Sequence, residues 1–226
     1  IEMMDVFFPE QRKRRKWTMN GITYYYKNGM LCQCMSHRPR LRTGKKKNGK
    51  PLIPTPEQVK ARATFKQMNF LKRYFFSAQI KGIPIWDLAP GIEGQHRMAK
   101  FHRASAAACG ERGVEYYSIF KFSEGILFPP INMHVERNGW MVTMTWENRE
   151  ERELSLASDW LRVGYFYDAY PFAPRLLPEI VAKRGDCQAV FRIPDSKLPV
   201  SMVLHLYPFF SRQDKYAFST SCYFQV

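Results

Sequence analysis

Apolar positions change period near residue 115, and the change splits the chain into a helical part and a strand part. Ahead of it, Ala61, Phe65, Met68, Leu71 and Phe75 recur at helical spacing, one face of a helix of about five turns. Its start is marked in Pro54-Thr55-Pro56-Glu57-Gln58. There Thr55 can serve as N-cap, Pro56 takes the first helical position where its missing N–H is not needed, and Gln58 completes a capping box. A second helix is predicted over 93–109, with Met98, Phe101, Ser105 and Ala108 inward and Gly110 as its stop. Residues 77–92, with Gly82, Pro84, Pro90 and Gly91, read as a linker.

Beyond 115 the period is two. Ile131, Met133 and Val135 alternate with polar residues up to Arg137-Asn138-Gly139, a hairpin turn, after which Trp140, Val142, Met144 and Trp146 alternate again. Further strands are expected at 160–167, 187–193, 201–209 and 216–225. Short alternating strands at this density predict an α+β chain ending in an antiparallel immunoglobulin/fibronectin III-like β-sandwich. The expected division is 1–76 (basic leader, hairpin and capped helix), 77–114 (linker and second helix) and 115–226 (β-sandwich).

At the other end, Ile22–Tyr26 and Met30–Met35 flank Lys27-Asn28-Gly29, whose Asn-Gly supplies the positive φ angles of a tight hairpin turn. Two basic runs bracket this hairpin. Arg12, Lys13, Arg14, Arg15 and Lys16 end in Trp17, a leader too polar to pack and expected to be extended or disordered. Arg38, Arg40, Arg42, Lys45, Lys46, Lys47 and Lys50 lie in a loop without apolar periodicity. Arg62, Lys66 and Arg73 line one side of the capped helix.

This order of elements resembles an uncharacterised family of Bacteroidota proteins, a domain of unknown function. The likeness rests on Pro54-Thr55-Pro56-Glu57-Gln58 followed by Arg62 and Phe65, on the hairpin Tyr24–Gly29, and on Leu198-Pro199-Val200, Tyr207–Ser211 and Phe218–Phe224. It implies a basic hairpin, a helix and a β-sandwich, with no catalytic residues to carry over. The long basic leader and Lys45–Lys47 depart from it.

Charge turns this organisation into a functional expectation. The chain carries 35 Lys+Arg against 20 Asp+Glu, a net +15. Residues 1–76 hold 18 basic and 4 acidic side chains, a net +14, and the remaining 150 residues are almost balanced at +1. Such segregation is the footprint of a region facing a polyanion. The expected partner is nucleic acid, RNA or DNA, bound through phosphates, with Trp17 and Tyr24–Tyr26 available to stack on unpaired bases. The alternative is a structural subunit of a virion or surface assembly, in which the arm clamps an acidic protein neighbour.

Chemistry of other kinds finds little purchase. Cys32, Cys34 and His37 could offer three metal ligands, but zinc sites use four and no second half is near. His96 and His102, with Glu93, Glu111 and Glu115, do not have zinc-protease spacing, and no nucleophile elbow or phosphate-binding glycine loop occurs. Glu147, Glu150, Glu151 and Glu153, interleaved with Arg149 and Arg152, read as a solvated loop, and His205 as a structural residue of a strand. The expectation is a non-enzyme without cofactor or metal. No apolar run reaches membrane-spanning length, and Ile1-Glu2-Met3-Met4-Asp5 lacks the pattern of a secretory leader. Five unevenly spaced cysteines fit a reducing compartment, so the cytoplasm is expected, with a virion or cell surface as the alternative.

Overall fold

A computed structural model describes residues 16–19, 22–27, 30–35, 54–76, 83–91, 94–148, 152–178, 180–194, 199 and 201–226. The chain forms two compact units, 1–55 and 56–226. The helix that sequence reasoning groups with the basic leader therefore belongs to the second unit.

Among its described residues, the first unit contains one antiparallel sheet of three strands, β1 (Lys16–Met19), β2 (Ile22–Lys27) and β3 (Met30–Met35), in that order. Lys27 pairs with Met30, so the expected Asn-Gly pair connects β2 and β3. The strand β1 extends that expectation. The end of the basic leader pairs with the Tyr-rich strand, with Trp17 in register with Tyr24 and Thr18 with Thr23, aromatic and β-branched residues of the kind strands favour.

The second unit opens with α1 (Pro56–Tyr74), which has Pro56 in its first turn as expected, Glu57 beside it, and Lys72 and Arg73 at the C-terminal end of the helix dipole. Only its second half is buried, through Met68, Leu71 and Phe75. Ala61 and Phe65, expected inward, are exposed: they line an open cavity between the first half of the helix and His102 and Ala106, which leaves their side chains uncovered. Next come a helical turn at Ile85–Leu88 and α2 (Arg97–Ser105), which continues as a tighter turn through Ala108. The short pair β4 (Cys109–Gly110) and β5 (Gly113–Val114) comes after it. The described part of the expected linker, 83–91, contributes to the core: Ile85, Trp86 and Ala89 are buried, with the Trp86 ring 5.3 Å from Phe101.

The remaining strands form two antiparallel sheets. One has the order β10-β7-β6, from β6 (Ile131–Asn138), β7 (Met141–Glu147) and β10 (Gln188–Arg192). The other has the order β12-β11-β8-β9, from β8 (Trp160–Tyr167), β9 (Arg175–Leu176), β11 (Leu204–Ser211) and β12 (Phe224–Gln225). The unit is thus α+β with antiparallel sheets. In the three-stranded sheet the predicted alternation holds: Val142, Met144 and Trp146 are buried between more exposed neighbours, and Gly139 makes the turn with φ of 61°.

In the four-stranded sheet it does not hold. Every residue of β11, and every residue of β8 after Trp160, is buried. Leu161, Val163, Tyr165, Leu204, Leu206 and Phe210 pack with the three-stranded sheet. Phe166, Tyr207 and Phe209 pack with the helical layer through Phe75, Trp86, Phe101, Phe120 and Phe122. A strand covered on both faces has no reason to alternate.

Two residues show how tightly the middle layer is filled. Pro208 sits inside β11, where a missing N–H would normally break a ladder. The N–H and C=O of one strand residue point the same way, and Pro208 O accepts from Cys222 N at 3.0 Å. The imino nitrogen therefore faces the irregular 218–223 segment, and the ladder to β8 is spared. Gly164 in β8 lies beneath the Phe122 ring, and a Cβ there would fall 2.4 Å from three ring carbons. Phe122 is itself fully buried, between Phe75, Tyr207 and Phe209. Gly164→Ala is therefore expected to lower stability by about 1–3 kcal/mol, read as a shift of the urea unfolding midpoint. An unchanged midpoint would mean that the layer can yield.

Candidate nucleic-acid interface

A helix with one half-buried face presents the opposite face to solvent, and in α1 that face is not simply polar. Val59, Arg62, Lys66, Phe70 and Arg73 recur at steps of three or four residues and form one ridge, opposite Met68, Leu71 and Phe75. Val59 is 52% and Phe70 55% exposed. The structure thus brings together three of the predicted residues, Arg62, Lys66 and Arg73, and adds two apolar ones that the sequence reading did not single out.

Phe70 is extended by a residue from a distant loop. The Phe172 ring meets it edge-on, centroids 5.9 Å apart, and is itself 36% exposed. That loop is anchored to β5, because Val114 N donates to Pro171 O at 3.0 Å. Gly113 has φ of 123°, and a Cβ there would press on the same carbonyl at 3.0 Å, so glycine allows the approach. Phe70 carries a sequence signal, an aromatic residue amid the cations of a helical face. Phe172, about a hundred residues away, carries none.

The cations of α1 and α2 are used differently. On α2, Arg97 pairs with Asp87 at 3.4 Å, and Lys100 Nζ donates to the carbonyls of Asp87 and Ala89 at 3.1 and 2.7 Å. Arg103 donates to Gln95 Oε1 and to Pro90 O. These side chains fasten the Ile85–Leu88 turn, and the Ala89–Pro90 backbone next to it, onto α2. On α1, among the described residues, none of Arg62, Lys66 and Arg73 enters an ion pair. Their charge is directed to solvent or to a partner.

In the first unit, Lys16 is exposed and pairs in register with Tyr25. Tyr26 is exposed, whereas Tyr24 and Tyr25 are half-buried, which favours a packing role for these two. Trp17 lies on β1. Arg12, Lys13, Arg14, Arg15, Arg38, Arg40, Arg42, Lys45, Lys46, Lys47 and Lys50 lie outside the described residues.

The residues of the other candidate chemistries make the following contacts where they are described. Cys32 and Cys34 share one side of β3, His37 lies outside the described residues, and among those described no group of three metal-type ligands assembles. All five cysteines are free. Cys109 contacts Met68 Sδ at 3.4 Å, and burial, with Glu115 nearby, pushes its thiol up to about 12. His96 caps α2 by accepting from Met98 N at 3.2 Å, and His102 lies against Phe65. Glu115 accepts from the backbone of Arg112, and Glu147 from Asn132. Glu93, Arg149, Glu150 and Glu151 lie outside the described residues.

No family model, curated protein or solved structure matches the chain. The functional reading therefore rests on the site itself.

Among the described residues, His205 is the most enclosed imidazole. It is 3% exposed, stacks flat on Tyr117 with centroids 3.6 Å apart, and has Nδ1 3.0 Å from the Tyr223 hydroxyl. Its Nε2 lies 3.5 Å from Asp168, too long for a good hydrogen bond. Burial lowers its pKa below the ordinary 6.5, against the smaller upward pull of Asp168. The unfolded chain then takes up this proton first, so the neutral ring's contribution to stability is complete above about pH 6.5. It is lost as the pH falls through the lower folded value. His205→Gln is expected to flatten the loss of stability between about pH 7 and pH 5 in urea titrations. An identical slope in both proteins would show that the ring titrates alike in the folded and unfolded states.

Proposed function

We propose that this chain is a non-enzymatic nucleic-acid-binding protein whose cationic N-terminal third engages the phosphate backbone of RNA or DNA without base-specific readout. The observation that carries the reading is the ridge of α1, where Arg62, Lys66 and Arg73 stand without ion-pair partners among the described residues around an exposed Phe70. Cations on a backbone and an aromatic face for an unpaired base are the two elements of single-strand binding. The net +14 of residues 1–76 supports the same partner, since the basic runs at 12–16 and 38–50 add charge in the same third of the chain.

The framework is read as a fibronectin III-like member of the immunoglobulin-type sandwiches. Three strands facing four, with β7 beside β10 and β8 beside β11, support this, because those neighbours imply Greek-key crossovers between sheets. No helix among the described residues is long and apolar enough to cross a membrane. Five free thiols support a cytoplasmic setting.

Fluorescence polarisation with a mixed-sequence single-stranded RNA, measured at several salt concentrations, tests the reading. Affinity is expected to fall steeply with salt, and the variant with Arg62, Lys66 and Arg73 all changed to Gln should reduce the log–log slope by about 2. Phe70→Ala should weaken single-strand binding by about 1–3 kcal/mol while leaving the salt slope unchanged. A flat salt response, or binding indifferent to both variants, would refute the assignment.

A further inference from the structure

A cavity of about 610 Å³ opens at one end of the paired sheets, away from the ridge of α1 in sequence and built from different elements. Phe128, Pro129 and Ile131, from the entry to β6, give it an apolar wall, while Arg152, Ser155 and Arg184 supply polar groups. Its volume is in the range of small-molecule sites, and an apolar lining with a few convergent polar groups is their usual composition.

The chemistry of Arg184 narrows the ligand. The side chain is almost fully buried, with Nε donating to Asp159 Oδ2 at 3.2 Å and Nη2 to the Phe128 carbonyl at 2.7 Å. Its guanidinium lies over the Phe210 ring, 3.9 Å from the centroid. Among the described residues, Nη1 donates to no protein acceptor. Asp159, the carboxylate that balances Arg184, is shared with Arg212, whose Nη1 lies 3.6 Å from the other oxygen. That oxygen, Oδ1, is buried and makes no hydrogen bond. Among the described residues, two guanidiniums thus divide one carboxylate, which leaves one positive charge in excess beside the buried Asp159. At the rim Arg152 and Glu147 are both exposed and opposite in sign, so they leave that excess unchanged.

We propose that this cavity binds a small organic monoanion, a carboxylate with an apolar body. The carboxylate is held by Arg184 from the wall and Arg152 from the rim, with the Ser155 hydroxyl available beside them. The body lies on Phe128, Pro129 and Ile131. A single excess charge favours a monoanion over a phosphate dianion, because the second charge of a dianion would be desolvated without a partner. A guanidinium already aligned by Asp159 and Phe128 loses little freedom when it takes a carboxylate.

The test is isothermal titration of the full chain with octanoate, octanol, octylamine and inorganic phosphate. Octanoate is expected to bind saturably, and octanol, which keeps the apolar body without the charge, about tenfold more weakly. Octylamine and phosphate should give no saturable binding. Arg152→Gln, at the exposed rim, should weaken octanoate about tenfold and leave octanol unaltered. Lys66→Gln removes the same charge from α1 and should leave octanoate binding unaltered while acting on nucleic-acid binding, which separates this site from general attraction to a basic chain and from the nucleic-acid reading. Arg184→Lys, with its fold checked by circular dichroism, should also weaken octanoate; if it unfolds, Arg152→Gln decides. The proposal is overturned if octanol binds as well as octanoate, if phosphate binds more tightly, if Arg152→Gln and Lys66→Gln act alike, or if octanoate shows no saturable binding.

Discussion

β8 and β11 run side by side for eight residues, and both of their faces are covered, one by a second sheet and the other by helices and loops. Any polar group that enters this layer loses water and needs a partner within the protein. Ser219 illustrates it: its hydroxyl accepts from Phe210 N at 2.8 Å where β12 no longer pairs. Arg162 Nε donates to Ser211 Oγ at 3.2 Å, and the Tyr207 hydroxyl donates to Tyr117 O at 2.9 Å. The same demand shapes the rest of the unit. The helical layer covers Phe166, Tyr207 and Phe209, and the outer face of α1 stays exposed.

That exposure is what makes the ridge of α1 available. A helix with acceptors beside it directs its cations to neighbouring carbonyls and carboxylates, as α2 does with Arg97, Lys100 and Arg103. The difference between the two helices is one of position more than composition. α2 packs beside the Ile85–Leu88 turn, whose terminal carbonyls attract cations. Among the described residues, Arg62, Lys66 and Arg73 on the outer face of α1 make no such bonds.

The sequence made much of this architecture legible, and the misses share a cause. The β6–β7 hairpin was readable because one face is solvated, so residues 131–146 alternate and Asn138-Gly139 marks the turn. Pro56 located the start of α1. In contrast, Ile85-Trp86 looked like a proline-bounded linker because a single helical turn is too short to show a period. The double coverage of β8 and β11 was also hidden, since a run such as Leu204–Phe210 indicates burial without saying by what. Arg62, Lys66 and Arg73 were readable as a stripe, whereas Phe172 beside Phe70, and Arg184 beside Asp159, depend on contacts between segments far apart in the chain. Local patterns carry period and charge; they do not carry which loop folds back onto which face.

The distinction between a solvated charged face and a binding face turns on Phe70. A stripe of Arg and Lys alone would be satisfied by water, and exposed apolar residues scattered singly are ordinary on protein surfaces. Here the apolar residue is neither alone nor at the edge of the charge. It sits one turn from both Lys66 and Arg73, shares its ridge with Val59, and is joined by Phe172 from a loop that Pro171 fixes to β5. Leaving aromatic surface in water forgoes about 25 cal/mol for each Å² that burial would remove. Nothing in the packing of α1 against its own layer requires that sacrifice, because Met68, Leu71 and Phe75 already supply the contact. A partner with both phosphates and flat aromatic surfaces would use the cations and the ring together.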